Sequence, residues 1–281
     1  MKNSILLPTD FSENSWVATK YAAELANKFN FDLHILHVYQ TFGKILGTAE
    51  FNEVVAKHNE DAAFSEMDKW EHKVKTKYPQ LQVSFACMEG NLTDTVLKVA
   101  EENHVAFIVM GTKGEGGFKG YVLGSNTFEL IQHSPIGVIA VPQDYKEFKF
   151  QKVGILTNFK NQELELLDSF INRTSPGLDL TLLHVTENGR NIDTENILFW
   201  QDRIVKKMGI NRIEYRSKEM INRIDINEPI PYIINQMIAE EGIDILLVTY
   251  TRKSFFASLF SKDLAKTIAN GLSIPTYFLK N

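Results

Sequence analysis

Residues 33–38 read LHILHV and residues 180–185 read LTLLHV, an offset of 147 residues. Three further pairs of segments match, and all four pairs occur in the same order in both halves of the chain. These are residues 7–11 (LPTDF) with 155–159 (ILTNF), 105–110 (VAFIVM) with 245–250 (ILLVTY), and 134–136 (SPI) with 274–276 (IPT). Offsets of 140 to 148 residues far exceed the roughly 20–50 residues of a solenoid repeat, so the pattern indicates a duplicated domain. We place the two domains at residues 1–145 and 146–281, divided at a polar, charged stretch.

Short apolar runs alternate with longer amphipathic segments in each domain. In the first domain the runs lie near residues 3–8, 32–38, 81–88, 105–110 and 136–141, and their consecutive apolar residues are typical of strands buried on both faces of a parallel sheet. Ser12 is a plausible N-cap for a helix over about residues 13–30, and Pro79 ends a helical segment that begins near residue 49. The alternation predicts an α/β fold: two tandem, open, parallel five-stranded sheets with helices on both faces.

Composition excludes several classes of protein. The 281 residues are 44% hydrophobic and 23% charged, as in packed domains, and the net charge of −5 gives no reason to expect nucleic acid or an anionic membrane as partner. The single cysteine, Cys87, excludes a disulfide framework and a Cys-based metal site. The apolar stretch at residues 5–8 is too short for a signal peptide, and the run at 105–110 is too short for a membrane span. We therefore expect a cytoplasmic protein with no nucleic-acid or membrane partner.

The loops after the first and fourth strands are the candidate sites, because ligands of open parallel sheets bind beyond the carboxyl ends of the strands. Six of the chain's 16 glycines lie between Gly111 and Gly124, and glycine permits positive φ and close approach of a ligand. The helix that follows places Asn126 and Glu129 at N-cap and N3 spacing, and a helix N-terminus favours phosphate. The loop therefore predicts a phosphate cradle, although a glycine-rich loop is also found as a plain flexible connection.

The glycine loop has a defined spacing, G-x2-G-x9-G-[ST], met by Gly111, Gly114, Gly124 and Ser125, and Asp10 follows the first strand. With these residues, and with residues 108–111 (IVMG) and 134–142 (SPIGVIAVP), the sequence resembles the ATP-binding branch of the universal stress protein family. The resemblance covers both domains and is weaker in the second. It implies a Rossmann-like fold of the adenine-nucleotide alpha hydrolase type.

The resemblance implies an ATP site in the first domain, with Mg²⁺ held through the phosphates. Its residues would be Pro8, Thr9, Asp10, Val38, Met110, Gly111, Lys113, Gly114, Gly124, Ser125, Asn126 and Thr127. Asp10 would bind the ribose or adenine beside Pro8 and Thr9, and Val38 would contact adenine through its backbone. Gly111, beside Met110, and Gly114 would lie beneath the ribose and phosphates. Residues 124–127 would hold the phosphates, and Lys113 would either pair with phosphate or stay solvated.

The second domain has lost this pattern. By the same offsets Asp10 corresponds to Asn158, and the four motif residues correspond to Thr251, Ser254, Leu264 and Ala265. We therefore predict one ATP site per chain, in the first domain. Residues 255–260 (FFASLF) would either fill the vacated pocket or form an apolar surface for a partner.

Three side-chain groups outside the motif have structural interpretations. His34 and His37 lie on opposite faces of a strand and cannot hold one metal ion, and the recurrence of histidine at His184 indicates a structural role. Cys87 is expected to be a buried, inert thiol. Phe118 and Tyr121 would either cover a nucleotide or pack in the fold.

The function that these observations favour is a nucleotide-responsive regulatory or protective protein of the stress response, with an unknown protein partner. The sequence lacks the G-x4-G-K-[ST] loop and offers no base for a water nucleophile, so we expect at most slow ATP hydrolysis. An ATP-cleaving or adenylating enzyme on a related fold and a nucleotide-free interaction scaffold stay open as alternatives. The resemblance also implies an intramolecular pseudo-dimer, with residues 136–141 pairing with 276–279, and leaves a homodimer open.

Overall fold

The computed structural model describes residues 3–40, 49–112, 124–175, 177–187, 194–220, 222–223, 226–227, 230–250 and 273–280. The chain divides into two compact units, with the boundary between Gln143 and Asp144. Among the helices described, none is long and apolar enough to cross a membrane.

The first unit alternates strands and helices throughout. Its elements are β1 (Ser4–Pro8), α1 (Glu13–Phe29), β2 (Asp32–Tyr39), α2 (Ala49–Lys77), β3 (Val83–Glu89), α3 (Leu92–Glu102), β4 (Val105–Gly111), α4 (Ser125–His133) and β5 (Val138–Val141). The strands lie within two residues of the predicted runs. Consecutive buried apolar residues, as in β1 and β4, form the middle of the sheet because both of its faces are covered.

Helix boundaries follow from local chemistry in two cases and from tertiary contacts in a third. Ser12 is the N-cap of α1, its side chain accepting from the Ser15 N–H, and α2 ends before Pro79, both as predicted. The predicted N-cap Asn126 is wrong, because the N-cap of α4 is Gly124 and Asn126 already lies within the helix. The N–H of Gly124 donates to the carbonyl of Thr112, which fixes the turn two residues earlier than the side-chain pattern indicated.

The five strands of the first unit form a parallel sheet in the order β3-β2-β1-β4-β5. The chain runs outward from β1 to β3, then returns to the other side of β1 and continues through β4 to β5. Right-handed crossovers therefore place helices on both faces, and the strand order reverses between β1 and β4. This confirms the predicted fold class.

The second unit repeats the same design. It contains β6 (Lys152–Leu156), α5 (Asn161–Ile171), β7 (Asp179–Glu187), α6 (Thr194–Met208), β8 (Ile213–Met220), β9 (Asn222–Arg223), β10 (Ile226–Asn227), α7 (Ile230–Glu241), β11 (Ile245–Tyr250) and β12 (Thr276–Lys280). Its parallel sheet has the order β8-β7-β6-β11-β12, the same as in the first unit, while β9 and β10 form a separate antiparallel pair. The reversal point lies between β6 and β11.

Candidate functional site

The carboxyl ends of β1 and β4 meet at the reversal point of the first sheet. β1 ends at Pro8 and is followed by the segment Thr9–Ser12, which we call the β1 loop; β4 ends at Gly111, and α4 begins after Gly124. The β1 loop and the two described ends of the glycine-rich segment, Gly111 and Gly124, therefore lie at the carboxyl-end edge of one sheet, where open α/β sheets bind ligands.

The β1 loop is anchored to β2 through the backbone N–H and the backbone carbonyl of Thr9. The Thr9 N–H donates to the carbonyl of Leu36 at 2.9 Å, and Nδ1 of His37 lies 2.8 Å from the Thr9 carbonyl oxygen. Because a carbonyl can only accept, Nδ1 of His37 is the donor in this hydrogen bond. The structural role predicted for His37 is thereby confirmed.

Phe11 holds the middle of the loop in an unusual conformation. Its φ is 62°, in the left-handed region, and its N–H donates to Thr9 Oγ1 at 3.1 Å. Its ring lies 4.4 Å from that of His37 and edge-on to Trp70 at 5.5 Å. A bulky residue seldom adopts this conformation, so these contacts must compensate for the strain.

Asp10 is partly exposed, and its carboxylate is oriented by α1. Its Oδ1 accepts from the Ser12 N–H at 3.1 Å and forms a short hydrogen bond with Ser15 Oγ. Ser15 is 6% exposed and lies in the first turn of α1. The sequence analysis did not identify Ser15 as part of the site.

Asn14, in the first turn of α1, contacts the ends of β4 and β5. This side chain is 3% exposed, and its Nδ2 donates to the Val141 carbonyl at 3.3 Å. A Cβ atom added to Gly111 would lie 2.7 Å from Asn14 Cγ, closer than real atoms approach. Close packing against Asn14 therefore favours glycine at 111. Asn14 is absent from the predicted site because the two residues are far apart in the sequence.

Gly111, Gly124 and Thr127 lie together at the start of α4. Thr127 is buried, and its hydroxyl donates to the Gly111 carbonyl at 2.9 Å. The φ of Gly124 is −59°, so the positive φ that glycine permits is not used there. Any residue could adopt that backbone, so backbone strain does not require glycine at this position.

The N-terminus of α4 has no side-chain cap. Ser125 and Asn126 are exposed, and Gly124 supplies no side-chain cap. The first turn of any helix has N–H groups without intrahelical partners and carries the positive end of the helix dipole. In α1 and α3 a serine and an asparagine side chain accept from such groups. The first turn of α4 also contains no acidic residue.

Val38 lies where β2 extends beyond the end of β1. Backbone groups of a strand alternate between its two neighbours: Leu33 and Tyr39 bond toward β3, whereas Asp32 and Leu36 bond toward β1. This alternation directs the N–H and C=O of Val38 toward the β1 side, past Pro8, which pairs with Leu36. Met110 is buried in β4, next to Gly111.

Several predicted residues lie outside the described part of the chain. These are Lys113, Gly114, Phe118, Tyr121, Thr251, Ser254, Leu264, Ala265 and residues 255–260. The described residues contain no group of three or more His, Cys, Asp or Glu side chains able to hold a metal ion. Burial raises the pKa of the half-buried Cys87 thiol, in keeping with an inert thiol.

The second unit preserves the anchors of the loop. The Thr157 N–H donates to Leu183 at 2.9 Å, His184 Nδ1 lies 2.7 Å from the Thr157 carbonyl, and Phe159 has a φ of 60°. Phe159 is also edge-on to Trp200 at 5.2 Å. Burial lowers the pKa of His184, against the effect of its bond to Thr157.

The carboxylate of the second loop comes from a different residue. Asn158 replaces Asp10, and Glu163, at the position of Ser15, accepts from Thr157 Oγ1 at 2.7 Å and from the N–H groups of Asn158 and Lys160 at 3.0 and 3.1 Å. Glu163 is 2% exposed, and burial raises the pKa of its carboxyl despite these hydrogen bonds. The aligned repeats show that Asp10 and Ser15 correspond to Asn158 and Glu163. Only the hydrogen bonds in the structure show that Glu163 supplies the carboxylate of the second loop.

The model of the universal stress protein family matches residues 1–142, which include the β1 loop, β4 and α4. The chain belongs to the universal stress protein family. Two universal stress proteins of Methanocaldococcus jannaschii are 27% and 26% identical to it over 154 and 151 residues. These alignments cover 50% and 51% of this chain, and 95% and 84% of the relatives.

A solved structure extends the likeness of fold to both units. The crystal structure of a universal stress protein from Archaeoglobus fulgidus covers 99% of this chain and 96% of its own, with a TM-score of 0.68 and 18% identity. A putative universal stress protein from Pseudomonas aeruginosa covers 99% of this chain with a TM-score of 0.57 and 11% identity. At these identities the likeness concerns the fold alone.

Proposed function

We propose that this universal stress protein binds ATP with Mg²⁺ in its first unit and acts as a nucleotide-responsive regulatory or protective protein. The observation that carries the proposal is a pair of chemically opposite groups at one edge of one sheet. The Asp10 carboxylate lies after β1, and the N-terminus of α4, which has no side-chain cap, lies after β4. Asn14, in the first turn of α1, packs against Gly111 at the end of β4.

These two groups match the two ends of a nucleotide. A carboxylate accepts hydrogen bonds from ribose hydroxyls or the adenine amino group and repels phosphate. The N–H groups and positive dipole end of a helix attract phosphate. Asp10 therefore takes the nucleoside, beside Pro8 and Thr9, and residues 124–127 take the phosphates.

The remaining contacts fit between these ends. The backbone groups of Val38 face the β1 side of β2, where adenine can pair with them. Gly111, after Met110, ends β4, where its backbone would lie beneath the ribose and phosphates. The motif spacing assigns Lys113 and Gly114 to the same loop, and Mg²⁺ enters with the phosphates that coordinate it.

The proposal is tested by mass spectrometry of any ligand released from the purified full chain, together with its melting temperature with and without ATP and Mg²⁺. We expect an adenine nucleotide or an upward thermal shift, since a ligand that binds only the folded state stabilises it. The shift should shrink in Asp10→Asn and persist in the matched second-unit variant Asn158→Ala. Absence of both nucleotide and shift would favour a scaffold, and stoichiometric release of pyrophosphate would favour an adenylating enzyme.

A further inference from the structure

We propose that Ser15 is a positioning residue for nucleotide recognition, acting through the Asp10 carboxylate without contacting the ligand. The inference rests on the proposed function, because it concerns how Asp10 distinguishes ATP from close analogues. Ser15 is 6% exposed in the first turn of α1, so its side chain faces the protein rather than solvent.

The hydroxyl of Ser15 takes part in a group of hydrogen bonds with Asp10 and Ser12. It donates to Asp10 Oδ1, while the Asp10 N–H and the Ser12 hydroxyl approach its oxygen at 3.4 and 3.3 Å. The Ser15 N–H in turn donates to Ser12 Oγ at 3.1 Å, and the Ser12 N–H donates to Asp10 Oδ1 at 3.1 Å. The direction of the carboxylate is therefore set by the Ser15 side chain of α1 and by the backbone N–H of Ser12, the N-cap of that helix.

The second unit shows what happens when this position carries a carboxylate. Glu163 takes over the N–H of Lys160, the residue equivalent to Ser12, whose own N–H is bound by Asp10 in the first unit. The loop residue then becomes Asn158 and the carboxylate is buried. The small hydroxyl at position 15 thus accompanies a loop that carries its own, partly exposed carboxylate.

Fixing the carboxylate matters because hydrogen bonds weaken steeply when misaligned. An aspartate free to rotate would lose side-chain freedom when the nucleotide binds, whereas one held by Ser15 and Ser12 is already oriented. Loss of the Ser15 hydroxyl should therefore reduce the part of the affinity that depends on the ligand's hydrogen-bond donors, and leave the phosphate contribution unchanged.

The test is calorimetric titration of the full chain with ATP, 2′,3′-dideoxy-ATP and purine riboside triphosphate, the last two lacking the ribose hydroxyls or the adenine amino group. Wild type should prefer ATP over at least one analogue by tenfold or more. Ser15→Ala should reduce that preference to about twofold or less, while Ser15→Thr, which keeps the hydroxyl, should restore it. Thr19→Val is the matched control, because the Thr19 hydroxyl donates to the Ser15 carbonyl one turn along α1 and does not touch Asp10.

The outcomes separate the two proposals. If wild type binds no ATP, the proposed function fails, and the role of Ser15 with it. If wild type binds ATP with a preference that Ser15→Ala retains, only the positioning role is overturned. Should Ser15→Ala fail to fold, Ser15→Cys keeps a similar volume with a much weaker donor, and loss or retention of the preference then decides the question.

Discussion

Glu163 brings a buried carboxylate against two backbone N–H groups and the hydroxyl of Thr157. Burial raises the pKa of this carboxyl above its ordinary value of 4.5, so the folded chain holds the proton more tightly than the unfolded chain. Its contribution to the free energy of unfolding is therefore largest at low pH. It declines as the pH rises from about 4.5 through the folded-state pKa.

Glu163→Gln should remove this pH dependence, because glutamine does not titrate. The free energy of unfolding of wild type minus that of the variant should fall as the pH rises from 4.5 toward 8, by at most about 1.4 kcal/mol per pH unit. Urea unfolding followed by circular dichroism measures it. Glu165→Gln, an exposed change on the same helix, is the control. A difference that is flat or increases with pH would contradict the assignment.

At Gly111, adding a single Cβ atom is expected to change the stability of the fold. In Gly111→Ala the new Cβ would meet Asn14, whose amide is held by Val141, so we expect a loss of roughly 1–3 kcal/mol in the free energy of unfolding. Gly177→Ala is the matched control, since its Cβ would make an ordinary contact, 3.5 Å from Ser175 Oγ. Equal stability of the two variants in urea would show that Asn14 moves aside without cost.

At the level of the element, the N-cap of α4 has a backbone conformation that any residue can adopt, and the first turn has no side-chain cap. Gly124→Leu copies the second-domain residue Leu264 and should abolish ATP binding, because the branched side chain covers the N–H groups of the first turn. The φ of −59° accommodates leucine, so the free energy of unfolding should change by less than about 1 kcal/mol.

Calorimetric titration and urea unfolding of the same preparations separate these two effects. Gly124→Ser is the control, because serine is small and is favoured at helix N-caps. It should retain ATP binding. Affinity for ATP that is unchanged in Gly124→Leu would mean that the phosphates do not lie at this helix.

For the whole molecule, the two units differ in what their loops offer to a ligand. The first presents Asp10 at the sheet edge, whereas the second has Asn158 there and buries Glu163. We therefore expect one ATP per chain. Calorimetry should give a stoichiometry of one for wild type and for Asn158→Ala. A stoichiometry of two would contradict the predicted asymmetry.

The fold could be predicted from sequence because its signals are local and occur twice. Runs such as residues 105–110 identify strands, and Ser12 marks a helix start, without knowledge of what packs against them. The site was predicted only as far as the motif reaches. Asn14 against Gly111, and the start of α4 at Gly124, depend on contacts between segments far apart in the chain. No local pattern contains those contacts.

The β1 loop and its counterpart after β6 each pack a phenylalanine edge-on against an indole: Phe11 against Trp70, and Phe159 against Trp200. The chain has three tryptophans, and the third, Trp16, is also in the first unit, beside Trp70. Intrinsic fluorescence is therefore a built-in label for each half. Emission from a variant that keeps only Trp200 reports the second loop, and emission from a variant that keeps only Trp70 reports the first. The molecule can be followed half by half without a dye.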